Sequence, residues 1–110
     1  ARRDPQLGPI VMCGLGGIYV EVMKDVTFRA AKLNRKEATE MLSEIRSYPL
    51  LLGVRGEEKR DIDIVVDTII KVANIIRKVP RITDIEINPV VVYEQGKGLK
   101  AVDVRILISK

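Results

Sequence analysis

Asp84-Ile85-Glu86-Ile87-Asn88-Pro89-Val90-Val91-Val92-Tyr93 alternates polar and apolar residues and then turns at Glu94 to Gly98, after which Leu99 to Ile108 alternates again. A period of two on both sides of a glycine-bearing break predicts a β-hairpin. Ile85 and Ile87 share one face of the first strand, and Asp84, Glu86 and Asn88 share the other. On the second strand Val102, Val104, Ile106 and Ile108 lie together, opposite Ala101, Asp103, Arg105 and Leu107. Directly paired residues of an antiparallel hairpin point the same way, so burying both apolar faces together restricts the register. A turn centred between Gln95 and Gly96 sets Asn88 across from Asp103, Ile87 from Val104, Glu86 from Arg105 and Ile85 from Ile106. Pro89 has no amide proton, so the ladder opens or lies at an edge just past Asn88.

Upstream, Ile62, Val65, Val66, Ile69, Ile70, Ala73 and Ile76 recur at helical spacing between Asp61, a capping residue, and Pro80. Asn34 followed by Glu37 forms a capping box, and Ala38, Met41, Leu42 and Ile45 give a second amphipathic helix, which Tyr48-Pro49 is expected to stop. Leu50 to Gly53 leads into a polar excursion over Val54 to Arg60. Near the start, Ile10 to Cys13 reads as a strand, Gly14-Leu15-Gly16-Gly17 as a turn and Ile18 to Met23 as a strand. Val26 to Ala30 is a further strand or a continuation past a bulge. This order predicts an α+β fold, mainly an antiparallel sheet with two helices on one face, as a single domain over residues 1–110.

Composition narrows the chemistry. The 110 residues include no His and one cysteine, Cys13, so a Cys/His zinc site, an intrachain disulfide and any imidazole base are excluded for this chain alone. Cys13 reads as a small core residue. Net charge is +4 with few aromatics, which favours a solvated basic surface over a nucleic-acid partner. No apolar run approaches the ~20 residues of a membrane span, and Ala1 to Pro9 lacks the apolar core of a secretory signal. The expected compartment is the cytoplasm. Abundant Ile and Val among paired charges give the chain a thermophilic flavour.

The predicted register gathers Glu86, Asn88 and Asp103, with neighbouring β-carbons roughly 4.5–7 Å apart, into an oxygen-rich group suited to one hard cation. Mg2+ carrying nucleotide phosphates is the natural guest, and Arg105 can hold a phosphate or orient Glu86. Charged residues also alternate on ordinary solvated sheet faces, and spacing alone favours that reading. Gly16 and Gly17 offer free amides to a phosphate or a partner peptide. Their loop lacks the Lys-Ser/Thr of a phosphate-binding loop and does not open onto a helix, which favours a plain turn. Glu21 is a site carboxylate or a solvent-facing strand residue.

Leu7 to Arg29, Tyr48 to Gly56, Asp61-Ile62-Asp63, Asp84 to Pro89 and Ala101 to Ile106 closely resemble, in order, the ATP-grasp subunit of ADP-forming acyl-CoA synthetases. The Glu86-Ile87-Asn88-Pro89 stretch also resembles the related succinyl-CoA synthetase β subunit. That resemblance implies Mg2+ at Asn88 and Asp103, and favours a metal site over a plain surface. It further implies ATP and ADP as ligands and conversion of acyl-CoA, ADP and phosphate into free acid, CoA and ATP through a phosphohistidine. The implied fold is the C-terminal half of an ATP-grasp unit. Its implied partners are an N-terminal ATP-grasp half and a CoA-binding α subunit carrying the phosphohistidine. Nothing of the N-terminal half is in this sequence, so the chain is expected to be inactive alone and to form oligomers or bind a partner. The competing reading is a non-enzymatic α+β interaction or regulatory domain.

Overall fold

The computed structural model describes residues 1–16, 24–54 and 56–109. In chain order the elements are β1 (Arg2–Asp4), β2 (Gly8–Gly14), β3 (Val26–Ala30), α1 (Arg35–Ser43), α2 (Tyr48–Leu51), α3 (Ile62–Lys78), β4 (Ile82–Ile87), β5 (Val90–Val92), β6 (Leu99–Ala101) and β7 (Val104–Ile108). Five strands form an antiparallel sheet in the order β3-β2-β1-β4-β7, and β5 pairs with β6 apart from it. The fold is α+β with helices on one sheet face, as the sequence predicts.

The hairpin register agrees with the polarity argument: Ile85 pairs with Ile106, Glu86 with Arg105 and Ile87 with Val104. Pairing does not stop at the proline. Asn88 N–H donates to the Asp103 carbonyl at 3.0 Å, and Val102 N–H donates to the Pro89 carbonyl at 3.0 Å, across the cis Asn88-Pro89 bond. Beyond it Val90 to Val92 pairs with Leu99 to Ala101. Lys97 N–H closes the turn on the Glu94 carbonyl at 2.9 Å. One hairpin thus serves two sheets, where the sequence reading expected one.

Two further expectations are corrected. The strand at the centre of the sheet, β1, falls in a segment that the sequence reading assigned to no element. Asp4 makes the turn after it, accepting from the Gln6 and Leu7 amides at 2.8 and 2.9 Å, and Gly8 follows at φ +76°. Arg3 reaches the end of α3 and donates to the carbonyls of Ile76 and Val79 (2.9 Å), at the end of the helix where the last carbonyls lack helical partners, and to that of Ile82 (2.8 Å), where β4 begins. Tyr48-Pro49 does not terminate a helix. It opens α2, because a proline in a first turn gives up an amide that has no partner there in any case.

The two longer helices begin as predicted. Glu37 N–H donates to Asn34 Oδ1 at 2.8 Å, and Glu37 Oε1 accepts from Asn34 N–H at 3.1 Å, completing the capping box of α1. Asp61 caps α3 at Ile64 N–H and also accepts from Gly98 N–H at 2.8 Å, tying the helix start to the hairpin. Helices α1 and α3 press Ala38, Met41, Leu42, Val66, Ile69, Ala73 and Ile76 onto Val11, Ile82 and Ile85. Fully burying such an aliphatic side chain contributes about 1.5–3 kcal/mol. The helical layer stops short of β7, whose Val104, Ile106 and Ile108 remain 51%, 52% and 59% exposed.

Candidate functional site

Cross-strand pairing sorts the sheet into two faces. Val11, Cys13, Thr27, Ile85 and Ile87 face the helices. Met12, Phe28, Arg2, Asp84, Glu86, Arg105 and Leu107 take the opposite face, because Met12 pairs with Phe28, Arg2 with Asp84, Glu86 with Arg105 and Asp84 with Leu107. No helix of the described residues packs there. A recess of about 340 Å³ on this face is lined by Arg2, Met12, Asp84, Glu86, Arg105 and Leu107. It combines two carboxylates with two guanidinium groups beside an apolar strip, an arrangement able to hold a phosphorylated ligand and balance its charge.

β4 leads on into Asn88, which lines not this recess but the cavity on the helix side. The backbone bond between Asn88 and Asp103 sets these residues opposite each other, as the polarity of the hairpin predicts. Among the described residues no three His, Cys, Asp or Glu side chains gather closely enough to hold a metal. A cation held by Asn88 and Asp103 would have a mixed donor set of one carboxylate and one amide oxygen. That set suits Mg2+, a hard ion that retains several waters and needs only one or two carboxylates.

Gly16 joins this end of the site. A Cβ built at Gly16 would lie 3.3 Å from Asn88 Oδ1 and 3.5 Å from Pro89 Cβ, so the loop backbone stands directly against the Asn88 amide. Gly14 is held against the Asp25 carbonyl and Val26, and Leu15 N–H donates to the Asp25 carbonyl at 3.0 Å. Gly17 and Glu21, together with the Ile18 to Met23 strand, lie outside the described residues. A larger cavity of about 470 Å³ lies on the helix side, among largely apolar walls that include Leu42, Ile45, Val65 and Ile69. Gly16, Glu86 and Asn88 also line it.

Two residues behind the site behave differently from their neighbours. Burial pushes the Cys13 thiol above its ordinary range, although a contact with Thr27 Oγ1 at 3.4 Å opposes this. The protonated, core-facing thiol fits the small-residue reading. Asp25 is a buried acid, lying between the segments that the sequence reading assigned to strands. Its carboxylate accepts from the backbone amides of Arg46 and Ser47, the latter at 2.8 Å. Burial alone would raise its pKa, but bonds from the Ser47 side chain and from both amides, with the Arg46 charge, outweigh burial and hold it below the usual carboxylate range. Asp25 thereby fixes the corner between α1 and α2 while its carbonyl holds the glycine loop. Arg2 and Asp84 also line the recess but were not named as candidate site residues from the sequence. Asp84 was legible from its parity with Glu86, whereas Arg2 carried no signal once β1 was overlooked.

Residues 1–108 match the ATP-grasp domain family. The chain belongs to that family. This ATP-grasp chain is 46% identical over 108 residues to the β subunit of the ADP-forming acetate–CoA ligase II of Pyrococcus furiosus, covering 97% of the chain and 46% of that subunit. To the β subunit of ligase I of the same organism it is 47% identical over 106 residues, covering 96% and 45%. Among solved structures it is similar to the dinucleotide-forming acetyl-coenzyme A synthetase 1 of Ca. Korarchaeum cryptofilum, in complex with coenzyme A and Mg-AMPPCP and with its phosphohistidine segment pointing towards the nucleotide binding site. The TM-score is 0.93 at 42% identity, over 98% of this chain and 50% of that one. The ATP-grasp chain therefore spans about half the length of these relatives. All of them are ligases or synthetases, which disfavours the reading as a non-enzymatic domain.

Proposed function

We propose that this ATP-grasp chain is the Mg-nucleotide half of an ADP-forming acyl-CoA synthetase, which converts acyl-CoA, ADP and phosphate into free acid, CoA and ATP through a phosphohistidine. The observation that carries this reading is the pairing of Asn88 with Asp103 on the same hairpin as, and just beyond, the Glu86 and Arg105 pair. Asn88 and Asp103 would hold Mg2+, which when bound offsets the negative charge of the transferring phosphoryl group. Arg105 lies directly across the ladder from Glu86. Its fixed positive charge attracts a phosphate oxygen or keeps the Glu86 carboxylate oriented towards the recess. Both residues stand on paired strands, so this charge pattern is in place before a ligand arrives and needs little reorganisation. Gly16, Gly17 and Glu21 are the remaining candidates for contact with the nucleotide.

With no His in its sequence, the chain takes the phosphoryl group from, or gives it to, a histidine on another chain or segment. The proposed partners are an N-terminal ATP-grasp half, which closes over the bare face, and a CoA-binding α subunit. The assembly is oligomeric and cytoplasmic, and its Ile- and Val-rich composition suits a thermophile. The chain alone does not turn over.

The test is calorimetric titration of ADP and ATP, with and without Mg2+, into the chain assembled with its N-terminal half. Mg2+-dependent binding should be lost in Asn88→Ala and in Asp103→Ala. Unchanged binding in both variants, with assembly verified, would return these residues to the status of surface groups.

A further inference from the structure

We propose that Asp25 is a positioning residue of the nucleotide site: its carboxylate and its backbone carbonyl together fix the glycine loop Gly14–Gly16 against the corner between α1 and α2, so that the cavity beside Asn88 has its width before a ligand arrives. The inference rests on the proposed reading of this end of the chain as a nucleotide site. It extends that reading to a buried acid that the proposed chemistry leaves unused.

Burying a carboxylate is costly unless donors meet its charge, and Asp25 is only 3% exposed. It lies in no helix or strand. One carboxylate oxygen accepts from Arg46 N–H and the other from Ser47 N–H at 2.8 Å. The backbone of the same residue serves the opposite side. Its carbonyl accepts from Leu15 N–H at 3.0 Å, and Gly14 approaches that carbonyl so closely that a Cβ would have no room. The two segments tied in this way are walls of one cavity: Gly14, Leu15 and Gly16 line it from the loop, Ile45 and Ser47 from the corner, and Asn88 lines it too.

The backbone just before Asp25 is strained. Lys24 has φ +50°, and among the described residues it alone, apart from glycines, lies at positive φ. A side chain disfavours this region by roughly fivefold or more in population, and such a conformation persists only where its surroundings over-determine it. The bonds that Asp25 accepts supply that determination. Without the carboxylate, Lys24 relaxes towards negative φ and carries with it Asp25 and the loop amide bonded to it. Loop and corner then part, and a ligand has to bring them back before it binds. Where only a tenth of the molecules keep the loop in place, apparent affinity falls about tenfold.

The experiment titrates ADP with Mg2+ into the chain assembled with its N-terminal half, by calorimetry, and follows deuterium exchange by mass spectrometry in peptides spanning 10–16 and 44–50. In Asp25→Asn, which keeps the shape of the side chain, ADP affinity should fall about tenfold, and both peptides should exchange faster together. Ile76 is buried in the core and does not line the cavity. Ile76→Ala, at least as destabilising, should leave ADP affinity within about twofold of the parent. In the Asp25→Asn background, Lys24→Gly should restore affinity about fivefold, because glycine holds φ +50° without strain. Unchanged affinity in Asp25→Asn, an equal loss in Ile76→Ala, or no rescue by Lys24→Gly would overturn the proposal. Should Asp25→Asn fail to assemble, the parent decides: ADP must slow exchange in both peptides by the same factor, and protection of one alone or of neither overturns the role. If ADP does not bind the parent assembly, the nucleotide reading fails and this role with it; if it binds the parent and Asp25→Asn alike, only the positioning role fails.

Discussion

Replacing Asp25 tests how the glycine loop and the corner between α1 and α2 are held. The carboxylate is buried and accepts two backbone amides, from Arg46 and Ser47. A hydrogen bond to a charged group contributes about 1.5–3 kcal/mol, and leaving a buried amide unpaired forfeits that contribution. Asp25→Ala should therefore cost about 3–5 kcal/mol, a large part of the roughly 5–15 kcal/mol that stabilises a typical domain. Asp25→Asn keeps one acceptor but turns a donor towards the second amide, and should cost about 2 kcal/mol. The pH dependence supplies a second check. Because the folded-state pKa is depressed, the stability that Asp25 contributes is fully present above its unfolded value of roughly 3.9 and is lost as pH falls through the folded value. Asparagine does not titrate, so the gap between Asp25→Asn and the parent should be widest above pH about 5 and narrow below about 4. Urea unfolding followed by circular dichroism at a series of pH values measures both quantities. A cost below about 1 kcal/mol for Asp25→Ala, or a gap that does not narrow in acid, would refute the reasoning.

Two other changes have defined outcomes. Met41 is completely buried at the centre of the core, so Met41→Ala should lower stability by about 2–5 kcal/mol in the same unfolding assay, through lost burial and the cavity left behind. Cys13, whose thiol is held protonated chiefly by burial, should react with iodoacetamide far more slowly in the folded chain than in urea at pH 8, a contrast read by mass spectrometry.

The hairpin was legible because its information is local and redundant: alternation on both strands, a glycine-bearing turn and the demand for matched faces leave one register, in which Glu86 meets Arg105 and Asn88 meets Asp103. The starts of α1 and α3 were legible for a similar reason, since Asn34 and Asp61 cap helices within three residues of themselves. β1 was not, although it occupies the middle of the sheet. Arg2, Arg3 and Asp4 show no alternation, and their strand depends on partners far along the chain, including the α3 carbonyls that Arg3 caps. Pro49 does not by itself say which end of a helix it marks, because proline is excluded from a helix interior yet tolerated in a first turn, where this one lies.

The site divides along the same line. Parity placed Asp84, Glu86, Asn88, Asp103 and Arg105, because in a strand the residues left over from the core necessarily share the other face. It could not place Arg2, whose strand went unread, nor reveal that Gly16 comes close to Asn88, since folding alone brings the two together. Alternation also says which face is apolar without saying whether anything covers it. Val104, Ile106 and Ile108 carry the same pattern as Ile82 and Ile85, yet α3 shields only the latter pair. The bare strip on β7 and the charged recess on β4 lie on opposite faces of one two-stranded ribbon. A protein segment that covers the first therefore need not block a ligand from the second.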